Sequence, residues 1–157
     1  MMSQAKEFQS KQRTLLLIHG PNLNRLGSRD QAHYGSITLS AIEELVTRCA
    51  SQLGYSVRCF QSNHEGALID WIQEQSSSAS GIIINPGALT HYSYALHDAL
   101  LDTQLPCVEV HLSAISEREK WRRVSVTAPA CIRMIEGKRE QGYREAVDIL
   151  HNNLTIV

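Results

Sequence analysis

Short apolar runs alternate with segments of helical periodicity along most of the chain, and few folds accept that pattern. The clearest run is Gly81 to Asn85, an unbroken isoleucine stretch that suits a strand covered on both faces. Thr14 to His19, Tyr55 to Gln61, Cys107 to His111 and Ala130 to Ile135 are predicted as the other strands. Between the first two, Ile42, Leu45, Val46 and Cys49 mark the apolar face of a helix. Thr38 or Ser40 opens it, Ser40 pairing with Glu43 in a capping box, and Gly54 stops it. Glu65 to about Gln75, about Tyr92 to Thr103 and about Glu140 to Asn153 read as further helices. Repeated βα units predict an α/β fold: a five-stranded parallel sheet with helices on both faces, in a flavodoxin-like arrangement. At 157 residues the chain fits one domain, expected over residues 12–157 after a polar arm over 1–11.

Sheets of this kind bind ligands beyond the carboxyl ends of their strands, and here those ends are rich in reactive groups. The first run leads into Gly20-Pro21-Asn22, Arg29 and Tyr34. A phenol near a fixed cation is favoured as its phenolate, which makes Tyr34 the first candidate base. The second ends in Gln61-Ser62-Asn63-His64-Glu65 and the third in Asn85-Pro86-Gly87-Ala88-Leu89-Thr90-His91. The fourth carries Glu109 and His111, two apart and so on one face of a strand. A carboxylate there can fix the imidazole tautomer and favour its protonated form, although a purely structural Glu–His hydrogen bond fits the spacing equally well. Asn22 could act on a ligand or merely hold its turn. Asn85 and His91 flank a helix start where an anion is welcome, though His91 could also be a simple cap. Arg118 and Arg122 could clamp a carboxylate, or belong to a solvated run from Glu117 to Arg123.

Composition narrows the chemistry. A formal net charge of -1 with no basic stripe argues against nucleic acid and anionic membrane as partners. No apolar run reaches the ~20 residues of a membrane span. Arginine supplies 11 of the 15 basic residues, as suits small carboxylates or phosphates. The four cysteines form no CxxC pair and read as reduced packing thiols, so a cytoplasmic location is expected. No HExxH, P-loop, GxGxxG or GxSxG is present, and no lysine sits in an obvious desolvated site. What remains is cofactor-free and metal-free proton chemistry on a small polar acid.

Five blocks in register then resemble the type II 3-dehydroquinate dehydratases. They are Gly20-Pro21-Asn22-Leu23-Asn24-x-Leu26-Gly27-x-Arg29 with Tyr34-Gly35; Ser62-Asn63-x-Glu65-Gly66; Asn85-Pro86-Gly87-Ala88-x-Thr90-His91 with Ala95-Leu96-x-Asp98-Ala99; Glu109-Val110-His111-x-Ser113; and Gly142-Tyr143. The resemblance extends from about Thr14 to Leu150 and implies dehydration of 3-dehydroquinate to 3-dehydroshikimate in the shikimate route, without a cofactor. It implies Tyr34 as the base that takes a proton alpha to the ketone, with Arg29 stabilising its anion. Asn22 would hold the water that meets the enolate oxygen, and His111, oriented by Glu109, would protonate the departing hydroxyl. Asn85, His91, Leu112, Ser113 and Arg122 would bind the substrate's carboxylate and hydroxyls, with Arg118 in or near a mobile lid. Asp98 would reach the site of an adjacent subunit, in trimers that assemble into a homododecamer. The same reaction in quinate catabolism, or a binding relative without turnover, are the alternatives. His19 stands where that family usually has Asn, Val124 where it has His, and Arg133 and Arg139 at positions normally small or glycine, so the last strand and its turn are expected to be rebuilt.

Overall fold

Five parallel strands pair in the order β2-β1-β3-β4-β5 in the computed structural model, which describes residues 13–28 and 30–156. The expected polar arm and Arg29 lie outside the described residues. The strands are β1 (Arg13–His19), β2 (Tyr55–Gln61), β3 (Gly81–Asn85), β4 (Cys107–Val110) and β5 (Arg133–Ile135). The helices are α1 (Gln31–Tyr34), α2 (Leu39–Gln52), α3 (Glu65–Gln75), α4 (Tyr94–Asp102) and α5 (Gln141–Thr155). Alternate residues of β1 show why both sheet faces are covered. Leu15 and Leu17 pack with Ile42, Val46, Tyr143 and Val147 of α2 and α5 on one side. Leu16 and Ile18 pack with Leu68, Ile72, Leu96 and Leu100 of α3 and α4 on the other. At roughly 1.5–3 kcal/mol for each large buried side chain, these two layers hold the sheet.

Several boundaries move from the sequence reading, each for a local reason. Thr38, not Ser40, caps α2: its Oγ1 accepts from the Ala41 N–H at 3.2 Å, and Leu39 thereby joins the apolar layer. The helix after β3 begins at Tyr94 rather than Tyr92, because Gly87–His91 forms a 3-10 stretch and the Ser93 hydroxyl caps the Leu96 N–H at 3.0 Å. Strand β5 is shorter than Ala130 to Ile135, since Ala128–Ala130 is a 3-10 turn opened by proline chemistry. The turn beyond it is indeed unusual, with Arg139 at φ 50°. Cys59 is exposed on the outer strand β2 and is no packing thiol.

The two loops that will matter most are pressed together. The Gly20 N–H donates to the Asn85 carbonyl at 2.8 Å, and a Cβ on Gly20 would collide with the Pro86 backbone. Gly87 answers from the other side, at φ 60° against the Pro21 carbonyl. Two glycines thus let the ends of β1 and β3 meet at the point where the strand order reverses.

His19, at the end of β1, is fully buried, and neither ring nitrogen has a hydrogen-bond partner among the described residues. Its Nε2 stands 3.6 Å from Glu43, and burial pulls the imidazole pKa down from 6.5 to about 4. The unfolded chain therefore binds a proton that the folded chain refuses between those values, so stability is full above pH 6.5 and drains as pH falls towards 4. His19→Asn should remove ~2 kcal/mol of the stability loss between pH 7 and pH 5, measured by urea denaturation at both pH values.

Candidate active site

Three strand ends, those of β1, β3 and β4, deliver side chains to one pocket, while the end of β2 supports it through Asn63. Asn22 follows β1 in the left-handed region at φ 69°, a conformation Asn tolerates better than most residues. Its backbone N–H is held by Asn63 Oδ1 at 2.9 Å, while its side chain makes no cap hydrogen bond and lines the pocket. The turn is thus fixed by the backbone, leaving the amide for a ligand. Asn85, at the end of β3, donates from Nδ2 to the Tyr143 hydroxyl at 3.1 Å and accepts from the Gly87 N–H at 3.1 Å. Tyr143 is fully buried, and burial pushes its phenol well above the usual range, so it stays a neutral anchor.

The single turn α1, which the sequence reading did not foresee, is what aims Tyr34. Asp30 accepts from the Ala32 N–H at 2.9 Å and starts the turn; Tyr34 closes it, before Gly35 at φ 72°. Arg118 Nη1 donates to the Tyr34 hydroxyl at 3.0 Å, and its guanidinium carbon lies 5.5 Å from the ring centroid. A cation therefore does face the phenol among the described residues, and it is Arg118, which the sequence placed with substrate binding.

Glu109, behind the same pocket, is heavily bonded. It is fully buried, with His111 Nε2 at 2.6 Å from its Oε1. Thr90 Oγ1 at 2.6 Å and Ser125 Oγ at 2.8 Å donate to the same oxygen, and Thr127 Oγ1 donates to Oε2 at 2.6 Å. Each hydroxyl has one proton, and the carboxylate is the acceptor that most needs it. Burial alone would raise the Glu109 pKa, but His111, Thr127 and Thr90 outweigh it and hold the carboxyl below its usual value. An ionised Glu109 fixes the proton of His111 on Nε2 and leaves Nδ1 to the pocket.

His91 Nδ1 lies 2.7 Å from the Val124 carbonyl, which only a protonated Nδ1 can satisfy, so Nε2 is free to accept from a ligand hydroxyl. Burial lowers its pKa, the Val124 carbonyl opposes that, and the charges of His111 and Arg122 reinforce it. The imidazole is neutral at pH 7.

The pocket brings together Asn22, Tyr34, Asn85, His91, His111, Leu112, Ser113, Arg118 and Arg122 from the sequence reading, with Glu109 behind His111. Asp98 is exposed on α4 and does not line this chain's own pocket. Pro21, Leu23, Gly87, Ala88 and Ile115 also line it. Sequence reasoning passed over Ser125 and Thr127, whose only signal is a pair of hydroxyls two apart in a loop. No group of three or more His, Cys, Asp or Glu among the described residues is arranged to hold a metal ion.

A doubly wound sheet whose switch point carries a phenol on a guanidinium and an imidazole on a buried carboxylate defines a general acid–base class of site. The chain matches the family model Dehydroquinase class II over residues 13–151 and belongs to that family. It is 49% identical over 134 residues to a 3-dehydroquinate dehydratase of Halalkalibacterium halodurans, covering 85% of this chain and 92% of the relative. It is likewise 49% identical over 137 residues to that of Deinococcus radiodurans, covering 87% and 96%. The crystal structure of a type II dehydroquinase from Butyrivibrio crossotus superposes with a TM-score of 0.85 at 44% identity, over 88% of this chain and 97% of that one.

Proposed function

We propose that this chain dehydrates 3-dehydroquinate to 3-dehydroshikimate, the third step of the shikimate pathway, by an enolate route within a single domain over residues 12–157. The observation that carries the reading is that the Tyr34–Arg118 pair and His111, backed by Glu109, line one pocket. Tyr34, as phenolate, takes the proton alpha to the ketone, and the electrons move onto the carbonyl oxygen. A water held by Asn22 donates to that enolate oxygen, where charge develops. Collapse of the enolate expels the hydroxyl beta to the ketone, and His111 gives it the proton that makes it water. Tyr34 ends protonated and His111 neutral, so the two exchange one proton through solvent before the next cycle. Arg118 steadies the phenolate, a role the resemblance gives to Arg29. Asn85, His91, Ser113, Leu112 and Arg122 hold the carboxylate and hydroxyls, and the neutral Nε2 of His91 suits a hydroxyl donor.

The test is direct: purified protein mixed with 3-dehydroquinate should develop the ultraviolet absorbance of a conjugated enone. Binding without any absorbance change would overturn the enzyme reading in favour of a ligand-binding relative.

Asp98 is exposed and does not line its own pocket, which supports a role in a neighbouring subunit's site and a homododecamer built from trimers. Sedimentation should then give a mass twelve times that of the chain, and a monomeric mass would exclude this assembly. No helix among the described residues is long and apolar enough to cross a membrane. The four cysteines form no CxxC pair, which supports a reducing compartment such as the cytoplasm.

A further inference from the structure

Trp121 is a large aromatic side chain beside the pocket that the proposed reaction leaves without a task. It is 57% exposed, in the 3-10 turn Lys120–Arg122, so burial in the core does not explain it. Its contacts do. The guanidinium carbon of Arg122 lies 3.9 Å from the indole centroid, and the ring of His91 meets the indole edge-on at 5.5 Å and 83°. Both neighbours line the pocket; Trp121 itself does not.

Each neighbour is otherwise only half fixed. Among the described residues the His91 ring has a single hydrogen bond, to Val124, about which it can still swing. Arg122 has Glu119 Oε2 at 3.0 Å from its Nε, an ion pair whose angle makes no hydrogen bond and whose carboxylate is itself exposed. An ion pair with one exposed partner and no hydrogen bond holds a side chain weakly. The indole supplies what is missing: its face attracts the guanidinium, and its breadth blocks rotation of the imidazole. One rigid group thereby fixes the spacing between a cation and a neutral hydrogen-bond acceptor.

We propose that Trp121 is a positioning residue that sets His91 and Arg122 for the substrate's hydroxyl and carboxylate, acting on binding and not on the proton transfers. The inference rests on the dehydratase reading given above. Loss of the ring lets both partners relax into solvent conformers, and the substrate must then reorder them on arrival.

The experiment compares Trp121→Leu and Trp121→Phe with the unaltered protein in the enone assay. Trp121→Leu should raise KM about tenfold while kcat changes less than about threefold, and Trp121→Phe should bring KM back to within about threefold of the original. A KM unchanged in Trp121→Leu, a fall in kcat alone, or a Trp121→Phe as impaired as Trp121→Leu would overturn the assignment. Should the unaltered protein show no turnover, the dehydratase reading fails by itself. Calorimetric titration of 3-dehydroquinate into the unaltered protein and Trp121→Leu then decides about Trp121: about tenfold weaker binding supports it, and equal affinity overturns it.

Discussion

Tyr34→Phe should lower kcat by about a thousandfold or more while leaving the affinity for 3-dehydroquinate within a fewfold of the original. The ring keeps its packing against the apolar layer beneath α1, so the fold has no reason to change. What disappears is the oxygen that Arg118 holds at 3.0 Å. A general base typically contributes 10²–10⁴-fold, and removing the phenol oxygen removes that contribution outright. Binding should survive because the carboxylate and hydroxyl contacts come from other strand ends. Single-turnover kinetics with a separate binding measurement checks both halves. A variant that still turns over within tenfold of the original would show that the proton goes elsewhere.

The second large effect concerns Glu109. Glu109→Leu strands the Thr90, Ser125 and Thr127 hydroxyls and one imidazole nitrogen around an apolar side chain, which should cost ~3–5 kcal/mol of stability. Glu109→Gln is the sharper probe of chemistry. Its amide oxygen can still accept from Thr90 and Ser125 while its NH2 donates to the Thr127 hydroxyl, yet it no longer holds a fixed negative charge against His111, so kcat should fall about a hundredfold while the fold is kept. The pH dependence follows from the direction of the shift. Because the folded carboxyl ionises more readily than the unfolded one, its contribution is complete above the ordinary carboxylate value and is lost as pH falls through the depressed one. Denaturation followed below pH 5 should therefore show a steeper acid loss in the original protein than in Glu109→Gln.

Much of this was legible in the residues because their periods are unambiguous. The run Gly81 to Asn85 has no reading other than a buried strand, and Tyr55 to Gln61 and Glu65 to Gln75 came out at their observed limits. Glu109 and His111 could be placed on one face by spacing alone. The failures fall where three-dimensional partners decide. The turn α1 is too short to show a period, and only Asp30 as its cap betrays it. Ser125 and Thr127 belong to Glu109's cage through contacts 16 and 18 residues distant in sequence, which no local pattern encodes. The pairing of Tyr34 with Arg118 spans 84 residues and is likewise a product of the sheet order. Strand β5 was drawn too long because apolar residues around Pro129 imitate a strand that proline chemistry interrupts.

The carboxylate cage has one more effect, on the timing of the cycle. With its Nε2 held against the buried Glu109, His111 has only its cavity-side nitrogen open to solvent. On the proposed route a ligand that fills the cavity would shield that nitrogen, so product would leave before the next proton arrives.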